Sequence, residues 1–255
     1  MITSRTWQRE RVVGLATVLA LAACAHRELP VATPAPDPPK GAYPTMAPLA
    51  EYLMDRDAEI ALAKSAAPAP ITNDATVLVL TKTGYETAVT GKNGFVCMVE
   101  RAWFSPFSDP EFWNPKERSP SCLNAPAVRS ALPVNIKRTE LALAGLTKDQ
   151  MATRLKELVA QKAFAAPEVG SMSYMMSKQQ YLSDSGVHWH PHLMFYVPGD
   201  MDAPVWGANL PGESPVYGGG EELPGGGRLP WTIFLVPVPK WADGTPFEDH
   251  SHQVH

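Results

Sequence analysis

Apolar and polar residues alternate along this chain with two different periods, and each change of period marks an element. Over 49–65, Leu49, Leu53, Ile60 and Ala63 fall near one face with charges between them, which predicts a helix. Pro68 and Pro70 end it. Residues 75–81 are almost wholly apolar or β-branched. Residues 85–90 alternate, and 95–103 alternate again with Phe95, Cys97, Val99 and Trp103 on one parity. Lys82-Thr83-Gly84 and Gly91-Lys92-Asn93-Gly94 supply the turns, so the three runs predict an antiparallel meander. A helical period returns over 126–163, broken at Pro133. Within it, Thr147 followed by Gln150 has the spacing of a capping box, and Met151, Leu155, Leu158 and Val159 supply a buried stripe. Period two comes back at 171–177, 192–197 and 231–238, read as strands, with the glycine-rich 218–227 read as a loop. Helix, meander, helices and strands in that order predict an α+β fold: a largely antiparallel sheet with an N-terminal meander and packed helices. No internal repeat is visible.

Composition narrows the classes. The chain has 255 residues, 45% of them apolar and 19% charged, enough for one substantial core. The formal net charge of −4 argues against a nucleic-acid partner, which would call for a basic excess. Three cysteines exclude a disulfide-dense scaffold and a CxxC-type zinc module. The 26 prolines are about twice the usual share, so part of the chain must be linker.

The first residues are an address. Arg5, Arg9 and Arg11 form a basic n-region, followed by an apolar run of about a dozen residues, too short to cross a bilayer as a helix. Leu21-Ala22-Ala23-Cys24 then closely resembles the lipobox of bacterial lipoproteins. The resemblance covers the first 24 residues and carries no activity. It implies that residues 1–23 are a signal peptide cut before Cys24, and that Cys24 is the lipidation site. Ala25, in place of the aspartate that retains such proteins in the inner membrane, implies the outer membrane, facing the periplasm. Loss of Arg5, Arg9, Arg11 and Glu10 takes the net charge to −6. Several acyl chains hold a protein far more firmly than one, at about 0.8 kcal/mol per buried CH₂.

Residues 24–48 then read as a lipidated, proline-rich tether in extended polyproline II, which holds the domain off the membrane surface. Residues 49–245 read as one globular domain, and 246–255 as a histidine-rich tail. With Cys24 lipidated, Cys97 and Cys122 remain, and export to an oxidising compartment predicts that they pair. Two free buried thiols are the alternative.

Candidate chemistry centres on His188-Trp189-His190-Pro191-His192. In a strand His188, His190, His192, Met194 and Tyr196 share one face, and Leu193, Phe195 and Val197 point to the core. Neutral imidazole suits zinc and copper, and methionine on that face leans toward copper. Residues four apart in a straight strand are about 13 Å apart, so all three histidines cannot hold one ion without a bend. His190 and His192 are therefore the favoured pair, with Glu221, Glu222, His250 or His252 as further ligands; a solvent-facing histidine row is the plain alternative. Asp184-Ser185-Gly186 resembles the serine site of chymotrypsin-like proteases, but the only earlier histidine is His26, in the tether. Lys82-Thr83-Gly84 is a turn, and the glycines of 218–227 do not form a phosphate loop. Trp113 and Trp206 stand either in the core or along a surface groove.

Three readings follow. The leading one is a lipid-anchored envelope lipoprotein holding a metal ion or small ligand on its histidine face. The second is a metal-dependent hydrolase using His190 and His192, with Glu221 or Glu222 as base. The third is a structural or interaction protein of the envelope, with the 103–120 loop as contact surface.

Overall fold

The apolar runs of the chain become strands of one sheet in a computed structural model that describes residues 43–184, 190–211 and 214–248. The strands are β1 (Thr76–Thr81), β2 (Gly84–Val89), β3 (Val96–Glu100), β4 (Ser119–Leu123), β5 (Met172–Met175), β6 (His192–Pro198), β7 (Tyr217–Glu222) and β8 (Arg228–Pro237). They lie in the order β2-β1-β3-β4-β5-β6-β8-β7. The helices are α1 (Arg56–Lys64), α2 (Ala69–Thr72), α3 (Ala125–Leu143) and α4 (Lys148–Ala160). The fold is α+β, and every strand pairing is antiparallel except that of β1 with β3. Among the described residues no helix is long and apolar enough to cross a membrane.

That parallel pair replaces the expected meander. β1 and β2 form the predicted hairpin, but β3 lies on the far side of β1, so Val77 faces Val89 on one side and Cys97 on the other. The connector 91–94 is not a tight hairpin turn. It crosses the start of β1, with the Gly91 N–H donating to Thr76 Oγ1 (3.0 Å) and the Lys92 N–H to the Asp74 carbonyl (2.8 Å). A Cβ on Gly91 would stand 2.2 Å from the carbonyl carbon of Ala75, so only glycine lets the two backbones approach this closely. Gly91→Ala is expected to cost about 1–3 kcal/mol, as overpacking does. Urea unfolding should show a lowered midpoint at unchanged slope; an unmoved midpoint would refute the close-approach account.

Helix boundaries differ from the sequence pattern for local reasons. Residues 49–65 divide into a 3₁₀ turn (Leu49–Glu51) and α1, because Asp55 caps α1 by accepting from the N–H groups of Asp57 and Ala58, both at 3.0 Å. Pro133 lies inside α3 instead of ending it. The cost of an interior proline, about 3 kcal/mol, is offset by the packing of Ala127, Ala131, Val134 and Ala142 in the core. The capping box of α4 is as expected: Thr147 Oγ1 accepts from the Gln150 N–H (3.3 Å), and Gln150 Oε1 from the Thr147 N–H (2.9 Å).

The two faces of the sheet carry different layers. α3 and α4 cover one, over Met98, Leu123, Tyr196 and Trp231. α1 covers the other at β1, β3 and β4, over Val77, Val99, Cys97 and Cys122. Cys97 and Cys122 are register partners with their sulfurs 2.04 Å apart, a buried disulfide between neighbouring strands. The 103–120 segment, considered above as a contact surface, is instead largely interior: Trp103, Phe107, Phe112 and Trp113 are buried. Trp103 Nε1 donates to Thr139 Oγ1 at 3.1 Å, and the Arg138 guanidinium lies 4.6 Å from the centre of the Phe107 ring. Trp206 is 46% exposed and stacks on Phe234 with ring centres 4.6 Å apart. Tyr43, Met46 and Ala47 also pack against the core, so the packed chain begins upstream of residue 49.

Two strands had no signal of their own. β4 reads Ser-Pro-Ser-Cys-Leu, and β7 contains Gly218-Gly219-Gly220, within the stretch expected to be a loop. β7 is an edge strand. The Asn209 side chain serves its outer side: its Nδ2 donates to the Gly218 carbonyl (2.5 Å), and its Oδ1 accepts from the Gly218 N–H (3.1 Å).

Candidate functional site

His192 opens β6 and is 3% exposed. Its Nδ1 lies 2.8 Å from the His190 carbonyl oxygen. A carbonyl only accepts, so Nδ1 carries the proton and the ring lone pair sits on Nε2. Burial pushes the His192 pKa down, against the bond to the His190 carbonyl, which raises it. His190 is exposed, with its ring 4.2 Å from that of Phe247, which meets Trp241 edge-on at 5.4 Å.

The histidines therefore do not form a uniform row. Pro191 precedes the start of β6, so His190 lies outside the pleat that orients His192. The inside and outside of β6 are also exchanged relative to expectation. His192 and Tyr196 are the buried positions, with the Tyr196 hydroxyl 3.1 Å from Ser173 Oγ, while Leu193, Phe195 and Val197 are half-buried. His188 lies outside the described residues, as do Ser185, His250 and His252. Among the described residues no three His, Cys, Asp or Glu side chains are grouped to hold a metal ion.

Glu221 and Glu222 are too far away to complete this site. Glu222 faces Arg228 at one end of β8, and His192 faces Pro237 at the other. At about 3.3 Å per residue the two ends are roughly 30 Å apart. Glu221 pairs instead with Arg138, Oε2 to Nη1 at 2.9 Å.

A second arrangement, dispersed in sequence, meets at Asp184, immediately before the 185–189 segment. Its carboxylate accepts from the Tyr43 hydroxyl (2.5 Å), the Tyr181 hydroxyl (2.6 Å), Lys116 Nζ (3.1 Å) and Asn114 Nδ2 (3.3 Å). The Asp184 N–H donates to Glu111 Oε2 (3.0 Å), which also receives Asn114 Nδ2 (2.7 Å), while Ser183 Oγ donates to Glu111 Oε1 (3.0 Å). Burial pushes the Asp184 carboxyl up, but the bonds from Tyr181, Tyr43, Lys116 and Asn114 outweigh it and hold the pKa at about 2. In turn the bond to Asp184 pushes the Tyr181 phenol up to about 12. Such a carboxylate is a poor general base at neutral pH, since its proton affinity is far below the working range. The cluster is a clamp: it joins Tyr43, the 111–116 turn and the segment leading to the histidines. No motif announces it, because its members come from three separate stretches.

Chemically, the histidine end of β6 offers an oriented imidazole of the type that binds zinc or copper, beside an aromatic pair. Compared with family models, with curated proteins and with solved structures, the chain matches none.

Proposed function

We propose that this chain is an exported, lipid-anchored protein of the bacterial envelope, acylated at Cys24 and seated on the outer membrane facing the periplasm. In this reading its domain binds a metal ion, zinc or copper, or a small ligand at the histidine end of β6. The observation that carries the binding role is the bond from His192 Nδ1 to the His190 carbonyl. Metal-ligating histidines are oriented by just such outer bonds on the second nitrogen, which fix the tautomer and turn the other nitrogen toward the ion. The clamp at Asp184 supports it, because it fixes the chain on the other side of the histidine segment. The buried Cys97–Cys122 pair accords with an oxidising compartment. Binding is favoured over hydrolysis because Glu221 and Glu222, the candidate bases, lie at the opposite end of β8.

Two measurements test this reading. Elemental analysis of protein purified from the envelope should find zinc or copper, and His190→Ala with His192→Ala should lower the metal affinity at least tenfold. Unchanged metal content in the double variant would overturn the metal reading. Mass spectrometry should find a mature chain starting at an acylated Cys24; an intact Met1 would overturn the anchor.

A further inference from the structure

Two interior carboxyl groups, Glu100 and Glu117, make no ion pair with a cation among the described residues. Glu100, at the end of β3, is 9% exposed, and Glu117, just before β4, is 5% exposed. Glu100 Oε1 accepts from Ser121 Oγ (2.6 Å) and Asn135 Nδ2 (3.4 Å). Glu117 Oε1 accepts from Ser119 Oγ (3.0 Å) and Ser105 Oγ (3.4 Å). Ser119 faces Glu100 across the β3–β4 ladder, so the two carboxyls hang from hydroxyls two residues apart on one strand.

The charged and titratable groups packed around them make their bonds elsewhere, although the charge of Arg138 partly lowers the Glu100 carboxyl against the larger effect of burial. From α3, Arg138 bonds Glu221 and the Ser105 carbonyl. Arg101, beside Glu100, bonds Glu59. Arg118, beside Glu117, bonds the carbonyls of Pro115, Glu117 and Glu51. Asp109 adds a like charge toward Glu117. The Tyr85 hydroxyl donates to the Val99 carbonyl, and that of Tyr196 meets Ser173.

A buried carboxylate with no cation is costly, and the usual resolution is to keep the proton. We infer that Glu100 and Glu117 are a coupled proton store beneath α3 and the 103–117 aromatic segment, holding protons in the native fold near neutral pH that the unfolded chain does not hold, and that their ionisation in mildly alkaline surroundings loosens this part of the domain. Burial is the leading cause that pushes Glu100 up to about 7 and Glu117 up to about 8. An unfolded glutamate titrates near 4.3. The native state therefore holds protons that the unfolded chain releases across that interval. Stability is fully present below the unfolded value, falls as pH rises, and levels above about 8.

The test counts protons. Urea unfolding of unbuffered protein at pH 7.5, where unfolded histidines are mostly neutral, should release about one proton per chain. Glu117→Gln should remove most of that release. The melting temperature should be about 10 °C lower at pH 8.5 than at pH 5.5 in the wild type, with a flatter profile in Glu117→Gln. If that variant does not fold, the wild-type proton count and melting profile still decide. No proton release on unfolding, or a release unaltered in both Glu117→Gln and Glu100→Gln, would overturn the inference.

Discussion

Arg101→Met should cost the domain about 3–5 kcal/mol, the usual consequence of leaving one buried charge without its partner. Arg101 and Glu59 are almost wholly excluded from solvent, with side-chain exposures of 0% and 1%. The guanidinium serves three elements. Its Nη2 holds Glu59 of α1 at 2.8 Å, its Nε donates to the Tyr52 carbonyl at 2.9 Å, and its Nη1 donates to the Val99 carbonyl of β3. Glu59 Oε1 also accepts the Leu80 N–H of β1 at 3.1 Å, while its Oε2 has no partner among the described residues. Methionine would therefore strand a carboxylate under α1 and leave the Tyr52 carbonyl without its donor, while the Val99 carbonyl keeps the Tyr85 hydroxyl. Urea unfolding measures the loss, and Arg101→Met combined with Glu59→Gln should recover part of it, since the stranded charge is then gone. A loss below about 1 kcal/mol would show that the pair does not hold these elements together.

Replacing both Cys97 and Cys122 with serine should cost about 3.5 kcal/mol, the chain-entropy value for closing a loop of their 25-residue separation. That loss corresponds to a melting temperature lower by about 10 °C for a domain of this size. Because both cysteines are fully buried beneath α1, dithiothreitol should reduce the bond only as fast as the domain opens. Rapid reduction without unfolding, or a double variant as stable as the wild type, would contradict this. The effect should concentrate on the 98–121 segment, whose aromatic residues are packed but which has little regular structure between β3 and β4.

Elements with strong periodicity were readable in advance, and those whose shape depends on neighbours were not. The capping box of α4, the β1–β2 hairpin and the strands β5, β6 and β8 follow from local spacing and turn chemistry. The pairing of Cys97 with Cys122 was expected from the cysteine number together with the expectation of export to an oxidising compartment, and the disulfide is present. β4 and β7 were missed because proline and glycine remove the alternation by which strands are recognised, and their ladders are supplied by β3 and β8. Pro133 stays within α3, against the local rule for proline, because the helix is held by its core face. The position of β3 depended on one close backbone crossing at Gly91, which no periodicity records. At the candidate site, the histidine segment stood out by residue type alone. The remaining clamp residues, Tyr43, Glu111, Asn114, Lys116 and Tyr181, did not, since each is ordinary in its own stretch.

The amide of Asn209 also bears on how open the rim of the sheet at β7 is to another strand. Unsatisfied rims of sheets recruit strands from neighbouring molecules, the first step toward ordered aggregates. A glycine triplet without bulky side chains would be an especially permissive rim. By satisfying both main-chain groups of Gly218 from within the same molecule, Asn209 makes docking of a foreign strand compete with an existing pair of bonds. A strand adding at this flank would first have to displace those two bonds.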